Sequence, residues 1–412
     1  MDETLSAQTL RKHSHPIIFM FLLLPFGVTT GFVTVSFAYI FSKAGVSTDA
    51  VAALVGASLL PQIIRFLWAP LVDVTLTLKK WYVLSGLVTA AAIFATGVLP
   101  LKESSLPWLT IIVIIMNVGS SFLTITTSGL AAHDTPEHLK GRMSGYLNAG
   151  NLGGTGVGGG VGLWLAEHSS HQWVSPAVLA ISCALCCLAL FFVKEPAVSV
   201  RTEKVSATML NLLKDVWNTL KARIGFLALL LSFLPLCTGA ASNLWAAVAS
   251  GWHASAGTVE LATGVASGLI TAAGCLVGGW ICDRMHKQKA YILFGVLQVL
   301  CAWGMAYSPH TELMYIIWTS LYSFTLGFAY AGFSAVVFEA IGRGAASTKY
   351  TMYSSLSNFP IYYVTIIEGI AYTKWGPRGM LNTEAACGVV GIVLFLILLK
   401  FMNKSKPLPA AT

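Results

Sequence analysis

The stretch RFLWAPLVD at 65–73 places one arginine behind fifteen residues, 50–64, that carry no charge. Ser58, Gln62 and Arg65 recur at i, i+4 and i+7, which is one side of a helix. Leu60, Ile64, Phe66 and Leu67 take the other side. A guanidinium on such a polar strip is a planar, permanently charged fork that fits a carboxylate or a phosphate. The competing role is an ion pair with an acid near a helix end, for which Asp73, Asp134 and Glu339 are candidates. Intramembrane charges serve either purpose, so the sequence leaves both open.

Four further polar strips run at helical spacing: Asn117, Ser121, Thr124 and Ser128; Asn148, Asn151 and Thr155; Thr238, Ser242 and Trp245; Ser354, Asn358, Tyr362 and Thr365. Singly, each can bond a neighbouring helix. Together with the Arg65 strip they predict a hydrated cavity, lined by Arg65, Gln62, Asn117, Thr124, Asn148, Asn151, Trp245, Asn358 and Tyr362. Arg65 is its one fixed cation. No acid sits plainly at mid-depth; Glu368 is placed near the outer end of its segment, with Lys374 and Arg378 close by in sequence.

Other chemistries find little support. GNLGGTGVGGGVG at 150–162 lacks the Gly-Lys-[Ser/Thr] ending of a phosphate loop and reads as close helix packing, matched by Gly264, Gly268, Gly274, Gly278 and Gly279. The eight cysteines, CALCC at 183–187 included, fall in or beside apolar runs without polar ligand partners. No Ser/His/Asp constellation is present, which argues against a membrane-embedded acyl-transfer enzyme. The expectation is no catalytic residue, no metal and no cofactor.

The elements that carry these residues are apolar. The 412-residue chain is 56% hydrophobic and 10% charged, against about 25% charged in soluble proteins. Most of its surface is therefore expected to meet the lipid bilayer. The net charge of +8 sits in short loops and is no nucleic-acid signature. Twelve runs are long enough to span: 16–41, 50–72, 81–100, 107–132, 142–166, 174–194, 223–248, 257–282, 290–308, 313–338, 350–373 and 383–402. With the N-terminus inside, 20 of the 25 Lys and Arg fall in inner segments and four in outer ones. That asymmetry places both termini in the cytoplasm. The first run is too long for a signal-peptide core.

The longest inner loop divides the chain into 1–194, 195–222 and 223–412, six spans on either side of a linker. Within the linker, Met209, Leu213, Val216 and Leu220 share a face, predicting a helix in the membrane interface. The halves repeat weakly: Ala69 precedes Asp73, and Gly279 precedes Asp283, each by four residues and before a short basic loop. Paired repeats of this kind build alternating-access carriers.

This plan resembles the major facilitator superfamily, whose motif G-x-x-x-D-R-x-G-R-[RK] is matched by Gly279, Asp283 and Arg284. RFLWAPLVD is similar to the second-span signature of the branch holding muropeptide permeases, acetyl-coenzyme A transporters and some siderophore importers; Arg65, Trp68, Pro70, Leu71 and Asp73 fit it. Val74 stands where that branch often has an arginine. The resemblance implies an all-α membrane protein of two six-helix bundles in a bacterial inner membrane. It further implies import of a bulky, partly anionic conjugate by rocking of the halves. With the Arg65 strip, the expectation is a monomer moving a small organic anion or zwitterion, with proton coupling or uncoupled exchange as open alternatives. Asp73, Asp283, Arg284, Asp134 and Glu339 would then form gates at the inner helix ends.

Overall fold

A computed structural model describes residues 13–43, 48–100, 102–195, 205–342 and 345–404, and these hold helices and no strand. In chain order the helices are α1 (Ile17–Gly31), α2 (Ala38–Lys43), α3 (Thr48–Ile64), α4 (Ala69–Val74), α5 (Leu78–Val98) and α6 (Leu106–Asp134). Then come α7 (Lys140–His168), α8 (Val174–Leu185), α9 (Val205–Lys221), α10 (Arg223–Leu231), α11 (Trp245–Val248) and α12 (Ala256–Thr263). The remainder are α13 (Val265–Arg284), α14 (Lys287–Tyr307), α15 (Glu312–Ile341), α16 (Ala346–Leu356) and α17 (Asn358–Lys404). Among the described residues, eight helical stretches are long and apolar enough to cross a membrane.

Several predicted spans are broken, each with a local cause. The run at 50–72 is α-helical to Ile64, passes through a 3₁₀ turn over Arg65–Leu67, and resumes as α4. Pro70 lacks the N–H that would continue α3. The run at 223–248 unwinds after Leu231, where Pro235 is followed by Cys237 and Gly239 at positive φ (58° and 66°). The runs at 350–373 and 383–402 join through one kink at Gly376 (φ 66°), with Pro377 next.

Glycine sets the packing at the centre. On α7, Gly154 and Gly158 lie against the backbone of Leu24 and Val28 in α1, and no side chain would fit between them. Another face of α7 meets α13 antiparallel: Gly141 and Gly145 approach Gly279, and Gly156 approaches Gly268. Backbones this close gain dispersion contacts without a hydrophobic drive, which lipid does not supply. On α13, Gly274 packs in the same way on Phe324 of α15.

The linker helix α9 differs in register from the sequence expectation. Leu212 and Thr219 face protein, whereas Leu210, Leu213 and Trp217 are more than half exposed. Leu213 thus belongs to the outward face. Asp215 of α9 pairs with the buried Lys349 of α16 at 2.8 Å.

A Gly158→Val variant should lose stability, because overpacking a closed contact costs about 1–3 kcal/mol. A lowered melting temperature in detergent is the readout. Gly56→Ala, which meets nothing within 4 Å, should leave it unchanged or slightly higher.

Candidate functional site

The break after Ile64 sets the direction of Arg65. Ile64 and Trp68 both sit near ψ = 0 (φ/ψ −95°/5° and −105°/−5°) and bracket the single 3₁₀ turn. Trp68 is fixed by its indole N–H, which donates to Ser121 of α6 at 3.0 Å. Arg65 is thereby held at 8% exposure, while Leu60, Ile64, Phe66 and Leu67 lie on the exposed side as their spacing predicts.

Arg65 reaches from one half of the chain to the other. Its Nη2 donates to Ser354 Oγ of α16 at 3.0 Å, and its guanidinium lies 6.0 Å from the Phe26 ring. Its Nε has no partner. Among the described residues no carboxylate pairs with it. The three acids proposed as its counter-ions are engaged elsewhere. Asp73 binds Thr348, Asp134 accepts from Ser14 N–H at 3.2 Å, and Glu339 lies 3.8 Å from Lys287.

A second crossing lies beside it. Asn148 of α7 donates to Ser334 Oγ (2.9 Å) and the Tyr330 carbonyl (3.3 Å) of α15, and Ser334 shares a 3.0 Å hydrogen bond with Tyr350 of α16. Asn148 and Ser354 each stand eight residues from the start of their helices, at Lys140 and Ala346, and Arg65 stands eight residues before Asp73 near the end of α4. That is about 12 Å of depth along α7 and α16. The three form one polar layer between the halves.

The other predicted lining residues divide. Gln62 lies within 3.2 Å of Ser120 Oγ and 3.5 Å of Asn117 Oδ1, close to the Arg65 layer. Asn117 and Thr124 are buried and bond within α6, to Val113 and Ser120 carbonyls. Asn151 is half-buried on the face of α7 that meets Gly27. Trp245 is sealed inside the C-terminal half, edge-on to Tyr322 at 5.0 Å, and does not reach the layer. Asn358 and Tyr362 are exposed. Their strip with Ser354 is interrupted because Pro360 ends α16 at Leu356 and restarts the helix at Asn358. Ser334 and Tyr350 were not singled out by spacing; their signal is only that small hydroxyls and a tyrosine recur on α15 and α16.

The predicted gates are more ordered than their spacing implied. Asp73, at the end of α4, accepts from Thr348 N–H (2.9 Å) and Thr348 Oγ1 (2.7 Å) in the first turn of α16. Asp283, at the end of α13, accepts from Gly141 N–H (2.7 Å) and Arg142 N–H (3.1 Å) in the first turn of α7, with Arg142 Nε at 3.3 Å. Each carboxylate sits where the helix dipole and unpaired N–H groups favour negative charge. Each therefore ties one half of the chain to the other. Arg284 does not join them; its guanidinium stacks 3.5 Å above Trp280. Lys140 adds a further tie, donating to the Phe338 carbonyl at 2.8 Å.

Comparison with known proteins fits this geometry. Residues 17–362 match the model of the Major Facilitator Superfamily. Anhydromuropeptide permeases of Escherichia coli K12 and O157:H7 are each 23% identical over 349 residues, 81% of this chain and 70% of theirs. In fold, the chain resembles the proton:xylose symporter XylE bound to 6-bromo-6-deoxy-D-glucose (TM-score 0.68, 12% identity, 95% of this chain and 96% of that one). It likewise resembles the human organic anion transporter MFSD10 (TM-score 0.67, 15% identity, 92% and 98%).

Asp283→Ala removes two backbone bonds and an ion pair between the halves, and bonds to a charged group contribute about 1.5–3 kcal/mol each. The helices should part at that end upwards of a hundredfold more often, since two such bonds exceed about 3 kcal/mol and 1.4 kcal/mol is tenfold. Thiol labelling of the buried Cys275 and Cys282, followed by peptide mass spectrometry, should accelerate by that factor. Thr348→Val, which leaves one Asp73 bond in place, should have a smaller effect.

Proposed function

The chain belongs to the Major Facilitator Superfamily of membrane transporters, and from that premise we propose that it moves a small organic anion or zwitterion across a bacterial inner membrane by alternating access. The observation that carries the proposal is Arg65: buried, shared between the halves, and without a carboxylate partner among the described residues. A cation in an apolar slab is costly until an anion joins it. A solute carboxylate or phosphate supplies that partner in transit.

In this reading residues 1–194 and 223–412 are two six-span bundles, twelve spans in all, with 195–222 as the linker and both ends cytoplasmic. The aspartate ties then hold the cytoplasmic side shut, and the α7–α13 seam is the surface on which the bundles rock. Solute entering from the far side would pull the guanidinium away from Ser354. Gln62, Asn117 and Asn148 would supply donors and acceptors around the anchor, and the remaining predicted lining residues would act only in other states. The E. coli relatives, as permeases of anhydromuropeptides, make a sugar–peptide conjugate the first solute to test.

Uptake into proteoliposomes tests the proposal. Anhydromuropeptides and a panel of anionic metabolites would be offered to wild type, Arg65→Lys and Arg65→Ala. Loss of a hydrogen-bonded charge pair of about 1.5–3 kcal/mol predicts a roughly 10- to 150-fold fall in uptake for Arg65→Ala. Arg65→Lys should retain part of the activity, because it keeps the charge but not the fork. Uptake of every transported anion at the wild-type rate by Arg65→Ala would overturn the proposal.

A further inference from the structure

A second set of buried polar groups lies wholly within the C-terminal half. Glu368 and Glu384 stand eight residues before and eight after the Gly376 kink, so the two arms of α17 bring them to one level, about 12 Å from the bend. They face each other there. Glu368 is 0% exposed and Glu384 5%. Tyr322 of α15 donates its hydroxyl hydrogen to Glu384 Oε1 at 2.5 Å. Both oxygens of Glu368, the second oxygen of Glu384 and both amide atoms of Gln298 on α14 have no hydrogen-bond partner among the described residues.

The sequence hides this pair. A span starting at 383 leaves Glu384 at a boundary, and Glu368 looks neutralised by Lys374 and Arg378. Helix in fact continues to the kink on both sides, and Lys374 and Arg378 are exposed and pair with neither acid. The groups that do approach the acids are Tyr322, Gln298, Cys387 on α17 and Cys237 on the unwound stretch after α10. None of these carries a positive charge. Two carboxylates facing each other without a cation repel, and two acceptors cannot bond without a hydrogen between them. The arrangement is satisfied when a proton lies between the two acids.

A route to this proton is visible. A cavity of about 10 Å³, room for roughly one water, touches Glu384, Gln298, Cys237 and Thr238. A second, of about 40 Å³, shares Cys237 and Thr238 with it and opens toward Tyr330 and Ser357. Tyr330 accepts from Asn148, and Ser357 donates to the carbonyl of Ser354, the residue that binds Arg65. Cys237 and Thr238, in the unwound stretch at 232–239, line both cavities. Non-helical backbone at membrane depth is tolerated where protein buries it or it lines a water-filled cavity.

We propose that Glu368 and Glu384 form a proton-binding site, reached from the Arg65 layer through the unwound stretch, whose loading and emptying couples solute movement to a proton gradient. The coupling half of this inference rests on the transporter reading; the proton site does not. Loading adds a second proton, so that both acids are neutral. Release passes that proton to water in the smaller cavity and leaves one proton shared between Glu368 and Glu384, with Glu384 still bonded to the Tyr322 hydroxyl. The coupling ion then binds in the C-terminal helices, apart from the solute anchor.

Infrared spectroscopy of the full-length protein in lipid tests the site without any solute. Wild type should show a protonated-carboxyl band at the frequency of a buried acid. Glu368→Gln and Glu384→Gln should each abolish it, and Tyr322→Phe should shift it. A band untouched by all three variants, or no such band, overturns the site. Accumulation of anhydromuropeptide driven by a pH gradient, set beside solute counterflow without a gradient, tests the coupling. Wild type should do both, and each Gln variant should lose accumulation while keeping counterflow. Undiminished accumulation by the variants overturns the coupling and leaves the transporter reading intact. Neither accumulation nor counterflow of any offered anion by wild type counts against the transporter reading, and the infrared result still decides the proton site.

Discussion

A permanent cation is costly in an apolar slab, and Arg65 sits there with no carboxylate paired to it among the described residues. That constraint organises much of what surrounds it. Pro70 stops α3 one turn early, the 3₁₀ turn aims the guanidinium inward, and Ser354 from the other half of the chain supplies a neutral acceptor. A hydroxyl satisfies one N–H but leaves the charge uncompensated. Electrostatic attraction to an arriving anion is strong where the surroundings are poorly polarisable. In the proposed reading, the residue least suited to the membrane is the anchor of an anionic passenger.

The same economy of means holds at the helix ends. Asp73 and Asp283 occupy equivalent places in the weak internal repeat, and each caps the first turn of a helix from the opposite half. A carboxylate on a helix N-terminus is a bond that can be broken and remade, because water can replace it once the ends separate. The α7–α13 seam complements this. Its glycines present backbone to backbone with few interlocking side chains, and in the proposed reading the halves pivot there. Asp215 on α9 reaches Lys349 in the turn of α16 that Asp73 caps, so α9 is tied to that same helix end.

Much of this was legible in the chain. Lipid-facing and inward-facing sides of the Arg65 segment follow from helical spacing, and their exposures agree. The glycine runs announced close packing, and the Asp73/Asp283 repeat announced paired ends. What failed to show were the consequences of helix breaks. Pro360 split the strip from Ser354 to Tyr362, and Pro235 with Gly239 unwound the segment before Trp245, so residues projected onto one face diverged. The Glu368–Glu384 pair stayed hidden for a related reason. It exists only because a kink at Gly376 folds two helices together, and no local pattern marks which residues such a fold makes neighbours.

The most direct test of the central claim is the melting temperature of purified wild type and Arg65→Ala against a panel of anionic metabolites and anhydromuropeptides. A ligand that binds the folded form raises its melting temperature by mass action. The account predicts that at least one anion stabilises wild type and leaves Arg65→Ala unmoved. Equal stabilisation of both proteins by every active compound would contradict it, and would make Arg65 a structural tie rather than the anchor of the solute.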